Sequence, residues 1–175
     1  MKHLALAVIS KPQFKLMYEL LKFVRSCGCN VIEMRWFNPG NEAIGFYLLG
    51  GNWNNIAKLE AGIPNIERKY EVTILPRRVE LRDAQPDRLL YTIYIMALDR
   101  PGILEEVMGF LSGEDVEAVD INGYVFEGRY TKAPISSVSI SIAVPSAVLI
   151  SDFRERFIGF CDDLNLDATL EPDKS

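Results

Sequence analysis

Leu98-Asp99-Arg100-Pro101-Gly102-Ile103 is the stretch that decides the fold, because the hydrophobic periodicity changes across it. The preceding residues, 90–98, are almost continuously apolar, which predicts a strand. After the stretch, apolar side chains recur at helical spacing and form one stripe on one face; they are Leu104, Val107, Met108 and Leu111. The stretch is therefore the turn of a strand–turn–helix unit.

The same kind of reasoning completes the second half of the chain. Residues 137–144 alternate between serine or alanine and β-branched residues, which is the clearest strand pattern present, and Pro145 ends it. The other predicted elements are a strand over 116–126 with Gly123 as a bulge, a hairpin loop over 128–134, a helix carrying Phe153, Phe157, Phe160 and Leu164, a strand over 166–170 and a frayed tail over 171–175.

The first half predicts the same order of elements. Both faces of residues 4–9 are apolar, so we expect a central strand that is covered on both sides. A helix over Phe14–Val24 follows, closed by Gly28, and then a hairpin of strands 31–37 and 44–49. The second helix is capped by Asn52 and stopped by Pro64, and the residues on one of its faces are Trp53, Ile56, Leu59 and Ile63. The last element is a strand over Tyr70, Val72 and Ile74.

The predicted fold class is α+β, with two tandem ferredoxin-like βαββαβ domains. Each domain has an antiparallel sheet with two helices on one face. We place the first domain at 1–77, a mixed-charge linker at 78–88 and the second domain at 89–175. Lys11-Pro12 and Arg100-Pro101 occupy the same place in the two halves, which indicates an internal duplication. Pairing of the two domains would cover the open faces and edge strands, and a homodimer is the alternative.

Composition and charge exclude several classes of protein. The net charge of −5 argues against direct binding of nucleic acid, which needs clustered basic residues. Acidic residues interrupt the basic residues near the predicted linker; these basic residues are Arg77, Arg78, Arg82 and Arg88. No stretch resembles a signal peptide or a membrane span, and three cysteines do not suggest a disulfide scaffold, so we expect a cytoplasmic protein.

No catalytic, metal or cofactor site is predicted. A metal site needs about four ligands, and His3 is the only histidine. Structural cysteines are the preferred interpretation of Cys27, Cys29 and Cys161, over a redox pair or a nucleophile. The segment Gly50–Trp53 lacks the lysine of a phosphate-binding loop, and Trp53 is expected in the core. A recognition patch at Trp36 and Phe37 is an alternative to simple packing.

The Asp99 turn has the groups that an α-amino acid requires. Pro101 suits the first turn of a helix, and Gly102 allows a ligand to approach the backbone. Free amides at a helix start can hold a carboxylate, and Asp99 can accept a hydrogen bond from an amino group. The alternative is a well-capped helix in which Asp99 only closes the turn.

The element order, with Asp99–Ile103 after the first strand of the second half, resembles an ACT domain, a small-molecule-sensing module of amino-acid metabolism. Three further segments resemble the glycine cleavage system transcriptional repressor family over nearly the whole chain. They are Ser26-Cys27-Gly28-Cys29-Asn30-Val31, Leu49-Gly50-Gly51-Asn52-Trp53-Asn54 and Phe160-Cys161-Asp162-Asp163-Leu164-Asn165.

This resemblance implies a tandem-ACT regulator without catalytic residues, which binds a transcriptional activator of the LysR type and senses glycine or another amino acid. The ligand residues that it implies are Asp99, Arg100, Pro101, Gly102 and Ile103, with Asn30 and Val31, and with Asp120 and Ile121. The first half has Ser10-Lys11-Pro12-Gln13 where the second has the Asp99 turn, and lacks both Asp and Gly there. The alternative function is an amino-acid-binding regulatory subunit of a metabolic enzyme.

Overall fold

The chain forms two compact units, Met1–Asp83 and Ala84–Ser175, in a computed structural model that describes residues 1–81 and 87–173. The first unit contains β1 (Lys2–Ser10), α1 (Leu16–Ser26), β2 (Asn30–Phe37), β3 (Ala43–Gly51), α2 (Trp53–Tyr70) and β4 (Thr73–Val79). The second contains β5 (Arg88–Leu98), α3 (Ile103–Gly113), β6 (Glu117–Glu127), β7 (Pro134–Pro145), α4 (Ile150–Asp163) and β8 (Asp167–Pro172).

Both units have the same sheet topology. The strand order is β2-β3-β1-β4 in the first sheet and β6-β7-β5-β8 in the second, and every pair is antiparallel. The predicted α+β class, with two ferredoxin-like βαββαβ repeats, is confirmed. Each first strand lies at the centre of its sheet, because the βαβ crossovers bring the second and fourth strands to the two edges.

The core of each unit lies between its sheet and its two helices. In the first unit, the inward side chains of β1 pack on a buried stripe of each helix, represented by Leu20 and Leu59. In the second, Phe153 and Phe157 are fully buried, and the ring of Phe110 stacks on Phe160 with centroids 4.7 Å apart. Burial of such apolar faces, rather than helix propensity, holds these short helices in place.

Three predictions about the first unit are wrong. Strand β1 is covered on one side only, since Ile9 is 44% exposed on the face away from the helices. Pro64 lies inside α2, because the apolar stripe continues beyond it to Tyr70 and packing offsets the missing N–H bond. The last strand therefore begins at Thr73, not Tyr70, and β4 runs through Pro76, which an edge strand tolerates.

Two further predictions are also wrong. Trp53 is the first residue of α2 and is 60% exposed, so it is not a core residue. Gly123 stays in register opposite Val138, and the irregularity of β6 lies between Ala118 and Asp120 instead. The edge strand β2 carries a similar irregularity between Val31 and Glu33.

Residues 82–86 of the predicted linker lie outside the described residues, and its ends belong to β4 and β5. In the part of the chain that the structure describes, every helix is too short or too polar to cross a membrane.

Candidate ligand site

The turn between β5 and α3 is held open by its backbone. Gly102 is the N-cap of α3 and has φ of +98°, a conformation that other residues rarely adopt. The amide of Asp99 donates to the carbonyl of Pro134 at 2.9 Å, which ties the turn to β7. Pro101 precedes the N-cap, so the prediction that it lies in the first helical turn is wrong.

The start of α3 presents amides that the helix itself cannot satisfy. The amide of Glu106 is the first to bond within the helix, to the carbonyl of Gly102 at 2.9 Å. The amides of the preceding residues, from Ile103 to Glu105, have no partner inside the helix, and no side chain caps them. Such amides, together with the positive end of the helix dipole, favour a negatively charged ligand group.

The carboxylate of Asp99 is oriented by β7. Ser136, which is only 8% exposed, donates its hydroxyl hydrogen to Oδ1 of Asp99. Within residues 1–81 and 87–173 the second carboxylate oxygen, Oδ2, receives no hydrogen bond. Asp99 is therefore fixed in orientation and keeps an oxygen for an amino group.

The guanidinium group of Arg100 binds a neighbouring side chain of the same unit. Its Nη1 and Nη2 bind Oε1 and Oε2 of Glu106 at 2.9 and 2.6 Å. The hydrogen bond from Arg100 holds the pKa of Glu106 below its usual value, so Glu106 stays ionised. The pair neutralises a carboxylate that would otherwise repel an anion at the start of α3.

These groups surround a cavity of about 330 Å³ in the second unit. Four of the predicted ligand residues line it: Asp99, Arg100, Gly102 and Ile103. Its other lining residues are Leu104, Gly123, Tyr124, Val125, Ser136 and Val138. A cavity of this volume is at the small end of the range for ligand pockets, which suits a small molecule.

The remaining predicted residues lie elsewhere. Asp120 and Ile121 pair with Ser141 and Ile140, several residues along β6 from the part of that strand that lines the cavity. Asn30 and Val31 belong to the first unit, at the start of β2. Pro101 does not line the cavity.

Sequence reasoning missed the residues that β6 and β7 contribute to the cavity. Tyr124 pairs with Ser137 and Val125 with Ser136, so the strand register decides which side chains reach the turn. That register depends on the irregularity between Ala118 and Asp120, which the sequence did not locate. The only available signal was the serine-rich start of β7.

The first unit has a cavity of its own, of about 590 Å³, at the starts of β2 and α2. It is lined by Met1, Lys2, Gly28, Cys29, Asn30, Gly50, Gly51, Asn52 and Trp53. Here Nδ2 of Asn55, in the first turn of α2, donates to the carbonyl of Gly28 at 2.7 Å and ties that helix to the Cys-Gly-Cys segment. The turn at Ser10–Gln13 is closed differently, since the Gln13 side chain donates to the carbonyl of Tyr70.

Burial disfavours the thiolate form of Cys29 and Cys161. All three cysteines are unpaired and buried. Burial raises the pKa of Cys161 to about 11. The pKa of Cys29 is also raised, mainly by burial and to a smaller extent by the charge of Cys27. A protonated thiol is a poor nucleophile and metal ligand. Across residues 1–81 and 87–173, no three His, Cys, Asp or Glu residues are grouped to hold a metal ion.

Comparison with known proteins agrees with the resemblance seen in the sequence. No family model matches the chain. The glycine cleavage system transcriptional repressor of Escherichia coli is 20% identical over 151 residues, which are 86% of this chain and 80% of that repressor. The corresponding protein of Shigella flexneri matches to the same extent.

Two crystal structures share the fold over the full length. One, described as a candidate glycine cleavage system transcriptional repressor, has a TM-score of 0.73 at 20% identity and covers 99% of this chain and 98% of its own. The other, a protein of unknown function from Galdieria sulphuraria, has a TM-score of 0.74 at 16% identity and covers 98% of both chains. The tandem ferredoxin-like fold and the resemblance to the repressor are thereby confirmed.

Proposed function

We propose that the second unit binds a small α-amino acid beside the Asp99 turn, and that the chain regulates transcription by binding a DNA-binding activator of the LysR type. The resemblance to glycine cleavage system transcriptional repressors supports the regulatory role, and glycine is the effector that it suggests. The chain itself makes no DNA contact in this proposal, since its net charge is −5. A partner that acts on bacterial promoters would place this activity in the cytoplasm.

One juxtaposition carries the ligand proposal. The oriented carboxylate of Asp99 and the uncapped amides from Ile103 to Glu105 lie on the two sides of the same turn, and that turn opens into the 330 Å³ cavity. An α-amino acid has a cation and an anion on adjacent atoms. Its ammonium group would donate to Asp99, and its carboxylate would accept from the amides at the start of α3.

Calorimetric titration with glycine, serine and the branched amino acids tests the ligand site. We expect one of them to bind, and Asp99→Asn to weaken binding because the ammonium group loses a charged acceptor. Glu171→Gln, a matched change in β8 at an exposed position paired with Thr92 and outside the cavity lining, should leave binding unchanged. Failure of every amino acid to bind at millimolar concentration would contradict the site.

The partner requires a separate measurement. A pull-down with the full chain should recover a DNA-binding transcriptional activator, with or without the amino acid. Recovery of a biosynthetic enzyme instead would favour the alternative, a regulatory subunit of that enzyme. Tight binding of the purified chain to promoter DNA would contradict the proposed mechanism.

A further inference from the structure

The two halves of the chain carry opposite net charge. Residues 1–83 include 12 basic and 8 acidic side chains, a net charge of +4, whereas residues 84–175 include 7 basic and 16 acidic side chains, a net charge of −9. A chain with a net charge of −5 therefore has one basic and one acidic half. Such a distribution favours association between unlike surfaces.

Part of the basic charge of the first unit lies along α1 and its N-cap residue. Four exposed residues follow one another at spacings of three, four and three: Lys15, Tyr18, Lys22 and Arg25. At 3.6 residues per turn these positions form one stripe, on the side of the helix opposite its buried residues. None of the three cations forms a salt bridge within residues 1–81 and 87–173. Tyr18 is 65% exposed.

The acidic counterpart lies on α4, where a second exposed stripe has the same spacing and also faces away from the core. Its members are Asp152, Glu155, Gly159 and Asp162. Two charged residues beside the stripes have partners within their own units: Glu19 accepts a hydrogen bond from Tyr70, and Arg156 binds Glu114.

The glycine in the acidic stripe has no explanation within its own unit. A Cβ added to Gly159 would meet no atom within 4 Å, and alanine is the better helix former at such a position. The absence of a side chain leaves a flat place on the exposed surface of α4. A bulky side chain of another molecule could approach the helix backbone there.

We propose that the basic stripe of α1 docks antiparallel on the acidic stripe of α4 in a second copy of this chain. The spacing of three, four and three is the same when it is reversed, so one register aligns every position. That register pairs Lys15 with Asp162, Tyr18 with Gly159, Lys22 with Glu155, and Arg25 with Asp152. Three opposite charges would meet, and the exposed aromatic ring would lie over the glycine, as aromatic anchors do in other interfaces.

Sedimentation velocity of the full chain tests this contact. We expect self-association at low salt and a shift to the monomer at about 0.5 M salt, because exposed charges are screened over a few ångströms there. Lys22→Glu and Glu155→Lys should each weaken association about fivefold to tenfold, since an attraction becomes a repulsion. Mixing the two variants, or combining both changes in one chain, should restore it.

Three further variants make the test specific. Lys132→Glu and Glu127→Lys change the net charge by the same amounts at exposed positions away from both stripes, and should leave association unchanged. Gly159→Leu should abolish association without lowering the melting temperature, because its side chain extends into open space in the single chain. A monomer at all salt concentrations, unaltered association in both reversals, or no rescue on mixing would each overturn the proposal.

Discussion

The hydroxyl of Ser136 donates a hydrogen bond to the carboxylate of Asp99, a residue 37 positions earlier in the chain. The bond joins β7 to the turn that precedes α3, and it lies at the edge of the candidate ligand cavity. The start of one strand thus sets the orientation of a group that belongs to another element.

Replacing Ser136 by alanine should therefore affect both stability and binding. We expect the free energy of unfolding to fall by about 1 kcal/mol, since one hydrogen bond is lost, and amino-acid affinity to fall because Asp99 is no longer oriented. Ser139→Ala, on the other face of the same strand, is the control. Urea unfolding and calorimetry measure the two effects, and equal behaviour of both variants would refute this role.

Gly102 and Gly109 should respond in opposite directions to alanine. Gly102 has φ of +98°, so Gly102→Ala should destabilise the chain by about 1–2 kcal/mol. Gly109 lies in the middle of α3, and an added Cβ meets nothing within 4 Å. Gly109→Ala should stabilise by up to about 1 kcal/mol. Thermal unfolding of both variants gives the comparison, and a stabilising Gly102→Ala would contradict the backbone geometry.

Tyr47 should tolerate the loss of its hydroxyl group. The side chain is 1% exposed, and its hydroxyl has no hydrogen-bond partner among residues 1–81 and 87–173. Tyr47→Phe should leave stability unchanged or raise it by up to about 1 kcal/mol. A loss of more than that would indicate a partner for the hydroxyl.

Burial raises the pKa of Tyr47 to about 12, and this gives a pH dependence. The folded state favours the neutral phenol. Its contribution to the free energy of unfolding is therefore complete below the unfolded pKa of about 10. That contribution should be lost as the pH rises from 10 towards 12. The Tyr47→Phe variant should lack this part of the alkaline loss of stability, measured by urea unfolding across that range.

The ion pair between Arg78 and Glu60 should matter only where Glu60 is ionised. Nε and Nη2 of Arg78 donate to the carboxylate at 2.9 and 2.6 Å, and these hydrogen bonds lower the pKa of Glu60. The pair stabilises the folded state at pH values above the unfolded pKa of Glu60, about 4.3. This stabilisation is lost as the pH falls through the lower pKa that Glu60 has in the folded state. Arg78 is half exposed, so solvent weakens the pair.

At pH 7, Glu60→Gln should accordingly cost about 0.5–1 kcal/mol. The difference in the free energy of unfolding between this variant and the parent chain should shrink towards pH 3. Glu42→Gln, at an exposed position, is the matched control and should cost nothing at either pH. A constant difference across this range would show that the ion pair is not its cause.

The sequence predicted the elements better than their ends or irregularities. Alternation in β7 and the apolar stripes of the helices identified the fold, because burial of one face dictates these patterns. Pro64 misled the prediction because local backbone preference is weaker than the packing of Ile66 and Tyr70 beyond it. Trp53 misled it because a large apolar residue at a helix start can remain exposed.

The sequence predicted the part of the candidate site that the turn contributes, but not the part that β6 and β7 contribute. The turn residues Asp99, Gly102 and Ile103 are neighbours in sequence, so their chemistry could be read directly. Ser136 and Tyr124 reach the same cavity through strand register, which an unforeseen extra residue shifts. No single sequence specifies such a shift without the coordinates of the neighbouring strand.

The extra residue in β2 and its counterpart in β6 each interrupt one of the two edge strands of their sheet, near its start. Ile32 and Val119 occupy these places, and both side chains are exposed. Because side chains alternate between faces, deletion of either residue would turn the beginning of its strand over, with the core face towards water. The kink also disfavours growth of the sheet by flat stacking of further strands on that edge, so β2 and β6 each carry their own protection against fibril formation.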